Sequence, residues 1–493
     1  MQKISLVGFS VKHPRVVMWL VLAITMAFIT QFPRIKIDTN PKNMLPETSD
    51  VRVWNDRVDN DFSLYEDMIV LGIVNKNGIL NQKTLAKIIR ITDEILRLKG
   101  VAARDVNGFS TITNVTAEAG ILSVAPLMAE VPKDKTQMQA LEKTLMENPL
   151  FINRLISKDK KTTAIYVPLE KGANGKEIAD KIREIVKKEG GDQMSYYVAG
   201  DPVARDTFGA VMFKIMGIFS PIAGMIMFGV IYLMFRNLSL AISMMAVSMI
   251  SIIWSMGLLI GLGFPVHIMS SMSPVFLMAI ATDSIHIFNE FYFRYKEKRN
   301  KKQAILETMQ AVGRPVQYTA LATAAGFAVL VFMQIVPVKV FGGLLVFGTV
   351  VLRLLSFSFI PAILTFVREE KMDNAAQKED IGLSRTSHIL RILAGFGVYR
   401  PKTTVLVGLM FLGLAVMGTS KIIVNNNMVE WFKKDSEVRV ADTVMNQALG
   451  GTSLGYIVGL SEEAEYIKTP EAMRYIEALQ KHLEKLSVVG KTN

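Results

Sequence analysis

The chain has 493 residues, half of them hydrophobic, and a positive mean hydropathy, which is the composition of a membrane protein rather than a soluble one. Its net charge of +12 would suggest nucleic acid in a soluble protein, but the positive residues cluster beside apolar stretches, so no nucleic-acid partner is expected. The absence of cysteine excludes disulfides, thiolate metal sites and thiol catalysis.

Residues 1–11 read as a short amphipathic lead, followed by Lys12, Pro14 and Arg15 and then an apolar span, Val16–Ile29. No small-x-small cleavage site follows, only Gln31-Phe32-Pro33-Arg34, so an uncleaved signal anchor is expected rather than a removed signal peptide. From Ile35 to about Asp206 the chain is polar. DMIVLGIV (Asp67–Val74) is β-rich, and KTLAKIIRITDEILRL (Lys83–Leu98) has helical spacing of apolar residues. TTAIYVPL (Thr162–Leu169), KEIADKIREIVKKEG (Lys176–Gly190) and MSYYVAG (Met194–Gly200) make a second strand–helix–strand set. Two small βαβ units are predicted.

Six further apolar spans follow: Val211–Phe235, Leu238–Leu262, Ile268–Phe293, Tyr318–Val336, Phe341–Val367 and Thr403–Thr419. Basic residues sit at the N-terminus, after the fourth span (Arg294 to Lys302) and after the sixth (Arg368 to Arg391). If every span crosses once, all three groups lie on one side, which the positive-inside rule makes the cytoplasm.

The fourth span carries Asp283 and His286 inside it. By helix rise Asp283 lies roughly 16 Å above Arg294, deep in a hydrocarbon core about 30 Å thick. An ionisable group there costs at least about 2.5–3.5 kcal/mol on insertion scales and marks a functional site. Three residues apart, the two side chains share a helix face, which is expected to look into a bundle or a wet cavity.

The chain also repeats itself. SDVRV (Ser49–Val53) returns as SEVRV (Ser436–Val440), and the same offset of 387 aligns Pro14 with Pro401, Asn40 with Asn427 and Gly72 with Gly459. Such a repeat reads as a copied half-transporter. The second copy reaches Asn493 without counterparts of spans two to six. The expectation is therefore a longer reading frame or a partner chain that supplies a second membrane half.

One span, a large outer domain, five clustered spans and then a repeat resembles the RND superfamily of exporters. The closer likeness is to its MMPL-like branch, which includes hopanoid exporters and shares a five-span block with sterol-sensing domains. The residues that carry it are NPLFINRLISKDKKTTAIYVPL (Asn148–Leu169), Gly200-Asp201-Pro202, IGLGFPVHIMSS (Ile260–Ser271), ATDSIHIFNEFYFRY (Ala281–Tyr295), GRPVQYTALATAAGF (Gly313–Phe327) and FIPAIL (Phe359–Leu364).

The resemblance implies an α-helical polytopic membrane protein with an α+β, βαβ porter-type extracytoplasmic domain. It divides the chain into lead and first span (1–34), porter domain (35–208), a sterol-sensing-like block of five spans (209–367) and a cytoplasmic linker with an amphipathic helix (368–401). A seventh span (402–420) and the start of a second porter domain (421–493) follow. It also implies a proton relay at the acidic residue of span four, which is Asp283 here; His286, on the same helix face, is the candidate partner or tuner of that relay, with a hydrogen bond to a neighbouring backbone or hydroxyl group as the alternative. The chain departs from that pattern at Arg353, where relatives are apolar, and at Ser356, where they often carry Asp.

Arg353 lies about 22 Å above Arg368 by helix rise, so its side chain could reach the depth of Asp283. Thr319 and Thr323, four apart in span five, could offer hydroxyls to the relay, whereas Gly326, Ala322 and Ala325 are expected to permit close helix packing. Asp283 and His286 lack a third ligand nearby in sequence, so no metal is expected. There is no GxxxxGK[ST] loop and no GxSxG elbow, so neither ATP hydrolysis nor enzyme chemistry is expected.

The energy source left is an ion gradient, with no cofactor. The expected protein is a proton-driven exporter of hydrophobic or lipid-like molecules in the bacterial inner membrane, with a cytoplasmic N-terminus, membrane lipids as neighbours and a homo-oligomer as one possible assembly. A non-transporting lipid-binding receptor or assembly subunit, or a non-functional fragment of a longer transporter, is the alternative.

Overall fold

The structure, a computed structural model, describes residues 6–62, 65, 67–118, 121–190, 193–235, 238–367, 385–422, 427–453, 455–486, 489–490 and 492. In chain order the helices and strands are α1 (Leu6–Lys12), α2 (Pro14–Ile29), α3 (Asp50–Asp61), β1 (Met68–Asn75), α4 (Gln82–Ile95), β2 (Thr113–Glu118), β3 (Ile121–Pro126) and α5 (Lys135–Glu147). There follow β4 (Thr162–Pro168), α6 (Gly175–Lys188), β5 (Met194–Ala199), α7 (Asp201–Phe235), α8 (Leu238–Gly261), α9 (Ile268–Ser271), α10 (Ser273–Ala281) and α11 (Ile285–Lys298). The last are α12 (Lys301–Ala328), α13 (Val336–Phe366), α14 (Arg385–Tyr399), α15 (Pro401–Thr419), α16 (Glu437–Ala448) and α17 (Pro470–Leu483). The chain forms two compact units, Met1–Pro46 with Met212–Asn425, and Glu47–Val211 with Asn426–Asn493; the division falls inside α7.

The first unit is helical. Among the described residues of the whole chain, seven helical segments are long and apolar enough to cross a membrane, in the places the sequence predicts. Their lengths differ from prediction where polar residues extend a span. α12 begins at Lys301 rather than Tyr318 because its first turns are amphipathic, burying Ala304, Ile305 and Met309. Lys301 does more than signal topology. Its Nζ donates to the carbonyls of Thr365 (3.2 Å) and Val367 (2.6 Å), serving the open C-terminal end of α13.

α13 is the central element of this unit, packing against α1, α2, α8, α10 and α12. It can lie this close to its neighbours because of Gly348. A Cβ there would stand 2.3 Å from Leu277 Cδ2 and 2.8 Å from Ser255 Oγ. Ser251 Oγ donates to the Gly348 carbonyl (3.0 Å), and Trp254 Nε1 donates to Thr25 Oγ1 (2.9 Å), so these two buried polar groups of α8 are matched across the packed faces.

The expected close packing at Gly326, Ala322 and Ala325 does not occur among the described residues. Ala322, Ala325 and Gly326 are exposed, and a Cβ on Gly326 would meet nothing within 4 Å. Half of the predicted linker, residues 368–384, lies outside the described residues; its described part is mostly helical as α14.

The second unit holds a three-stranded sheet of order β4-β1-β5, with β1 antiparallel to both neighbours. This corrects the expectation of two βαβ units. β4–α6–β5 is a strand–helix–strand crossover, but β1 is inserted between its strands, so one sheet serves both predicted sets. Leu71 pairs with Ile165 on one side and Val198 on the other. A hairpin of β2 and β3, not anticipated from the sequence, adds a separate two-stranded sheet.

α4 and α6 bury Leu85, Ile88, Ile91, Ile178, Ile182 and Ile185 in the sheet's core. At their far end Lys87 Nζ donates to the Glu189 and Gly190 carbonyls (2.7 and 2.6 Å), and Arg90 grips the Glu189 carboxylate with bonds of 3.0 and 2.8 Å. Those hydrogen bonds, foremost, hold the Glu189 carboxyl below the usual carboxylate range.

The internal repeat is visible in the elements. An offset of 387 carries the short 3-10 turn Pro41–Met44 onto Met428–Trp431 and α3 onto α16. The two copies are used differently. α3 buries no residue, while α16 lays Ala441 and Met445, and the residue that follows it, Leu449, into the core of the first copy's sheet. Gly72 makes room for it: a Cβ there would stand 2.0 Å from Met445 Sδ. Ile69, Leu71 and Ile73 alternate with Gly72 and so point to the opposite face.

Candidate ion-coupling site

The span bearing Asp283 is not one continuous helix. α10 ends at Ala281, a 3-10 turn occupies Thr282–Ser284, and α11 begins at Ile285. The cause is local. Thr282, Asp283 and Ser284 are three consecutive residues whose short polar side chains compete for backbone groups, and Thr282 Oγ1 donates back to the Ala279 carbonyl at 2.6 Å. A 3-10 stretch in the middle of a helix is a common place for a functional hinge. Asp283 sits at its centre.

The two faces of this segment differ. Ser284, Ile287, Phe288 and Phe291 are buried in the helical core, with Ile287, Phe288 and Phe291 fully so. Ser284 Oγ lies 3.1 Å from Ser356 Oγ of α13, and Ser356 Oγ also donates to the Leu352 carbonyl (2.8 Å). Asp283 is half-buried and His286 exposed, on a face that the described helices do not cover. The structure keeps these two residues within electrostatic range of each other. Among the described residues the Asp283 carboxylate accepts no hydrogen bond and joins no ion pair.

The other sequence candidates stand apart from that face. Arg353 on α13 donates from Nη2 to the Gly313 carbonyl of α12 (3.1 Å), and its guanidinium carbon lies 3.1 Å from the Phe357 ring centroid; it makes no ion pair with Asp283. Thr319 is exposed and donates to the Pro315 carbonyl one turn back (3.2 Å). Thr323 is half-buried and has no side-chain partner among the described residues. Sequence reasoning missed Thr282 and Ser284 as the residues that break the helix and join it to α13. The run Thr-Asp-Ser inside an apolar span was the available signal.

A bundle of long apolar helices with a carboxylate at a break in one span, joined to a mixed α/β unit, defines a polytopic membrane protein of transporter type. The MMPL family pattern matches residues 109–401, more than half of the chain, and the chain belongs to the MMPL family. Members of that family are transporters, not enzymes, and the family points to RND-type transport of lipid-like substrates. No match to a curated protein was found for the chain.

Proposed function

We propose that the chain is a proton-driven, RND-type permease that exports hydrophobic or lipid-like molecules from the bacterial inner membrane, with Asp283 as the proton-carrying group. The observation that carries this is the 3-10 turn at Thr282–Ser284, which puts a carboxylate with no hydrogen bond or ion pair among the described residues at a break in a membrane-spanning segment. A carboxylate that alternates between charged and neutral changes the cost of exposing that break to lipid or water by several kcal/mol. Proton loading would therefore bias the hinge between two arrangements. α7, a single helix that belongs to both compact units, is the covalent route by which that bias would reach the outer unit.

Reconstitution into vesicles with an imposed pH gradient tests the proposal. Lipid-like substrate should move only when the gradient is present. Binding without gradient-dependent flux would favour a lipid receptor instead.

The proposed orientation places the N-terminus and the α11–α12 turn in the cytoplasm and the sheet-bearing unit outside. Since the chain lacks cysteine, single probes need no background removal. A cysteine at exposed Lys302 should be shielded from an impermeant thiol reagent in intact cells, while one at exposed Lys171 should react. The reverse pattern would invert the topology. Lys301 is unsuitable as a probe position because it caps α13.

Arg353→Leu is expected to leave the pH optimum of transport unchanged, because the guanidinium is held by Gly313 and Phe357 rather than by Asp283. A displaced optimum would show that the two groups meet during the cycle.

A further inference from the structure

Four serines of the helical unit are buried without a hydrogen-bond partner among the described residues: Ser248 and Ser255 on α8, Ser270 on α9 and Ser273 at the start of α10, each 0% exposed. The usual partner for a hydroxyl in an apolar helix is the carbonyl four residues back. Thr25, Ser243, Thr349, Ser356 and Ser358 of the same unit all take it, with bonds of 2.6–2.8 Å. The four serines do not. A hydroxyl buried without a partner is unfavourable, and buried water is what ordinarily supplies one.

Three helix faces meet where these hydroxyls lie. α8, α10 and α13 pack against one another, and Gly348 of α13 marks a crossing point: a Cβ there would stand 2.8 Å from Ser255 Oγ and 2.3 Å from Leu277 Cδ2. Ser251 Oγ, one turn from Ser255, bonds the carbonyl of the same Gly348. Ser248, Ser251 and Ser255 are spaced three and four apart, so they form one column on the α8 face turned to α13. Ser273 and Leu277, four apart, share the α10 face turned to Gly348, and Ala281 and Ser284 carry that face on to the 3-10 turn. There Ser284 Oγ meets Ser356 Oγ of α13 at 3.1 Å. The hydroxyls follow one seam, from Ser270 and Ser273 near the Ile268 end of the fourth span, past the α8 column, to the Ser284–Ser356 pair beside Asp283.

We propose that this seam holds a file of buried water molecules, bound by the four unpartnered hydroxyls, that reaches from the Ile268 end of the fourth span to the hinge. Serine suits the task, because its side chain is short and its hydroxyl both donates and accepts. Hydroxyls on facing helices supply the about two to four polar partners that a buried water needs. Such a file passes protons without displacing its oxygens. Each oxygen takes a proton from one neighbour and gives another to the next, so a proton entering at one end leaves at the other with nothing gained or lost between. If Asp283 is the proton-carrying group, which rests on the transporter reading above, the seam brings water to the residue next to it. Ser248 and Ser255 are then positioning residues for its loading.

The probe is water itself. Because the chain has no cysteine, a single-cysteine variant of the full chain carries one S–H group, whose infrared stretch moves when D2O replaces its proton with deuterium. In detergent, with no gradient, Ser248→Cys, Ser255→Cys and Ser273→Cys are expected to exchange at least about ten-fold faster than Ala241→Cys and Ala362→Cys. The two alanines are 0% exposed like the serines, and both are closer to an end of their helix than Ser248 or Ser255, so nearness to the surface does not produce this order. Three serine positions keep the test standing if one variant fails to fold. A folded serine variant that exchanges as slowly as the alanine pair breaks the file and overturns the proposal. Ser248→Ala combined with Ser255→Ala removes two oxygens and adds no bulk, and should slow gradient-driven flux several-fold; unaltered flux overturns the seam's part in loading Asp283. Fast exchange at the serines in a chain that shows no gradient-driven flux supports the seam and sinks only the transporter reading.

Discussion

Asp283→Asn is expected to reduce gradient-driven transport to the level of protein-free vesicles while leaving insertion and folding intact. The amide has nearly the size and shape of the carboxylate but cannot load or release a proton. Each unit of pH gradient supplies about 1.4 kcal/mol per proton carried, and a chain without a titrating group collects none of it. The structure explains why folding should survive. Asp283 makes no hydrogen bond or ion pair among the described residues, whereas its neighbour Ser284, which contacts Ser356, carries the packing. Flux under an imposed gradient is the measurement, with chromatographic homogeneity in detergent as the folding control. Flux at the unaltered rate would assign Asp283 a purely structural role.

The second large effect is expected in the sheet-bearing unit. Arg205 donates from Nη1 and Nη2 to both Asp67 carboxylate oxygens (2.8 and 2.9 Å) and from Nε to Asp206 (3.0 Å). Asp206 in turn accepts the Gly175 backbone N–H (2.7 Å) at the start of α6, where the helix favours negative charge. Asp67 immediately precedes β1, so one guanidinium ties that strand to α7 and, through Asp206, to α6. The side chains of Arg205, Asp67 and Asp206 are only 11%, 15% and 8% exposed, so solvent screens them little.

Arg205→Ala takes the cation away from two largely buried carboxylates, which should cost about 3–5 kcal/mol. That is a large part of the roughly 5–15 kcal/mol that holds a domain folded. Proteolysis of this unit in a urea series should show the midpoint falling sharply. Arg205→Lys keeps the charge but loses the planar fork and should fall between the two. An Arg205→Ala midpoint within error of the unaltered chain would mean that water replaces the guanidinium at no net cost.

How much of this could be read from the residues alone differs by element. The spans were legible because a bilayer demands long apolar helices, and hydropathy along the chain records that demand directly. The strands β1, β4 and β5 were legible from their β-rich runs, but their order was not. Antiparallel pairing of β1 with both neighbours depends on which edges meet in space, and local periodicity carries no such information. The β2–β3 hairpin escaped notice because Thr113–Pro126 carries no strong apolar alternation.

The candidate site divides the same way. An acidic residue in an apolar span identified Asp283 by cost alone. The 3-10 turn around it, the Ser284–Ser356 contact and the placement of His286 on an uncovered face came from tertiary packing. Arg353 shows the limit most clearly. Helix rise put it at a depth from which Asp283 could be reached, but helix rotation turned it toward Gly313 and Phe357 instead.

By itself, then, the sequence determined the membrane class, the number and position of the spans, the carboxylate within the fourth span and the repeat at an offset of 387, because each is a one-dimensional pattern imposed by solvent or by duplication. Only the tertiary structure decided that a helix of the second copy, α16, closes the sheet of the first, and that Met445 fills the space above Gly72. That choice depends on the fit of one side chain over a residue with none, between segments more than 370 positions apart, and no local propensity encodes it.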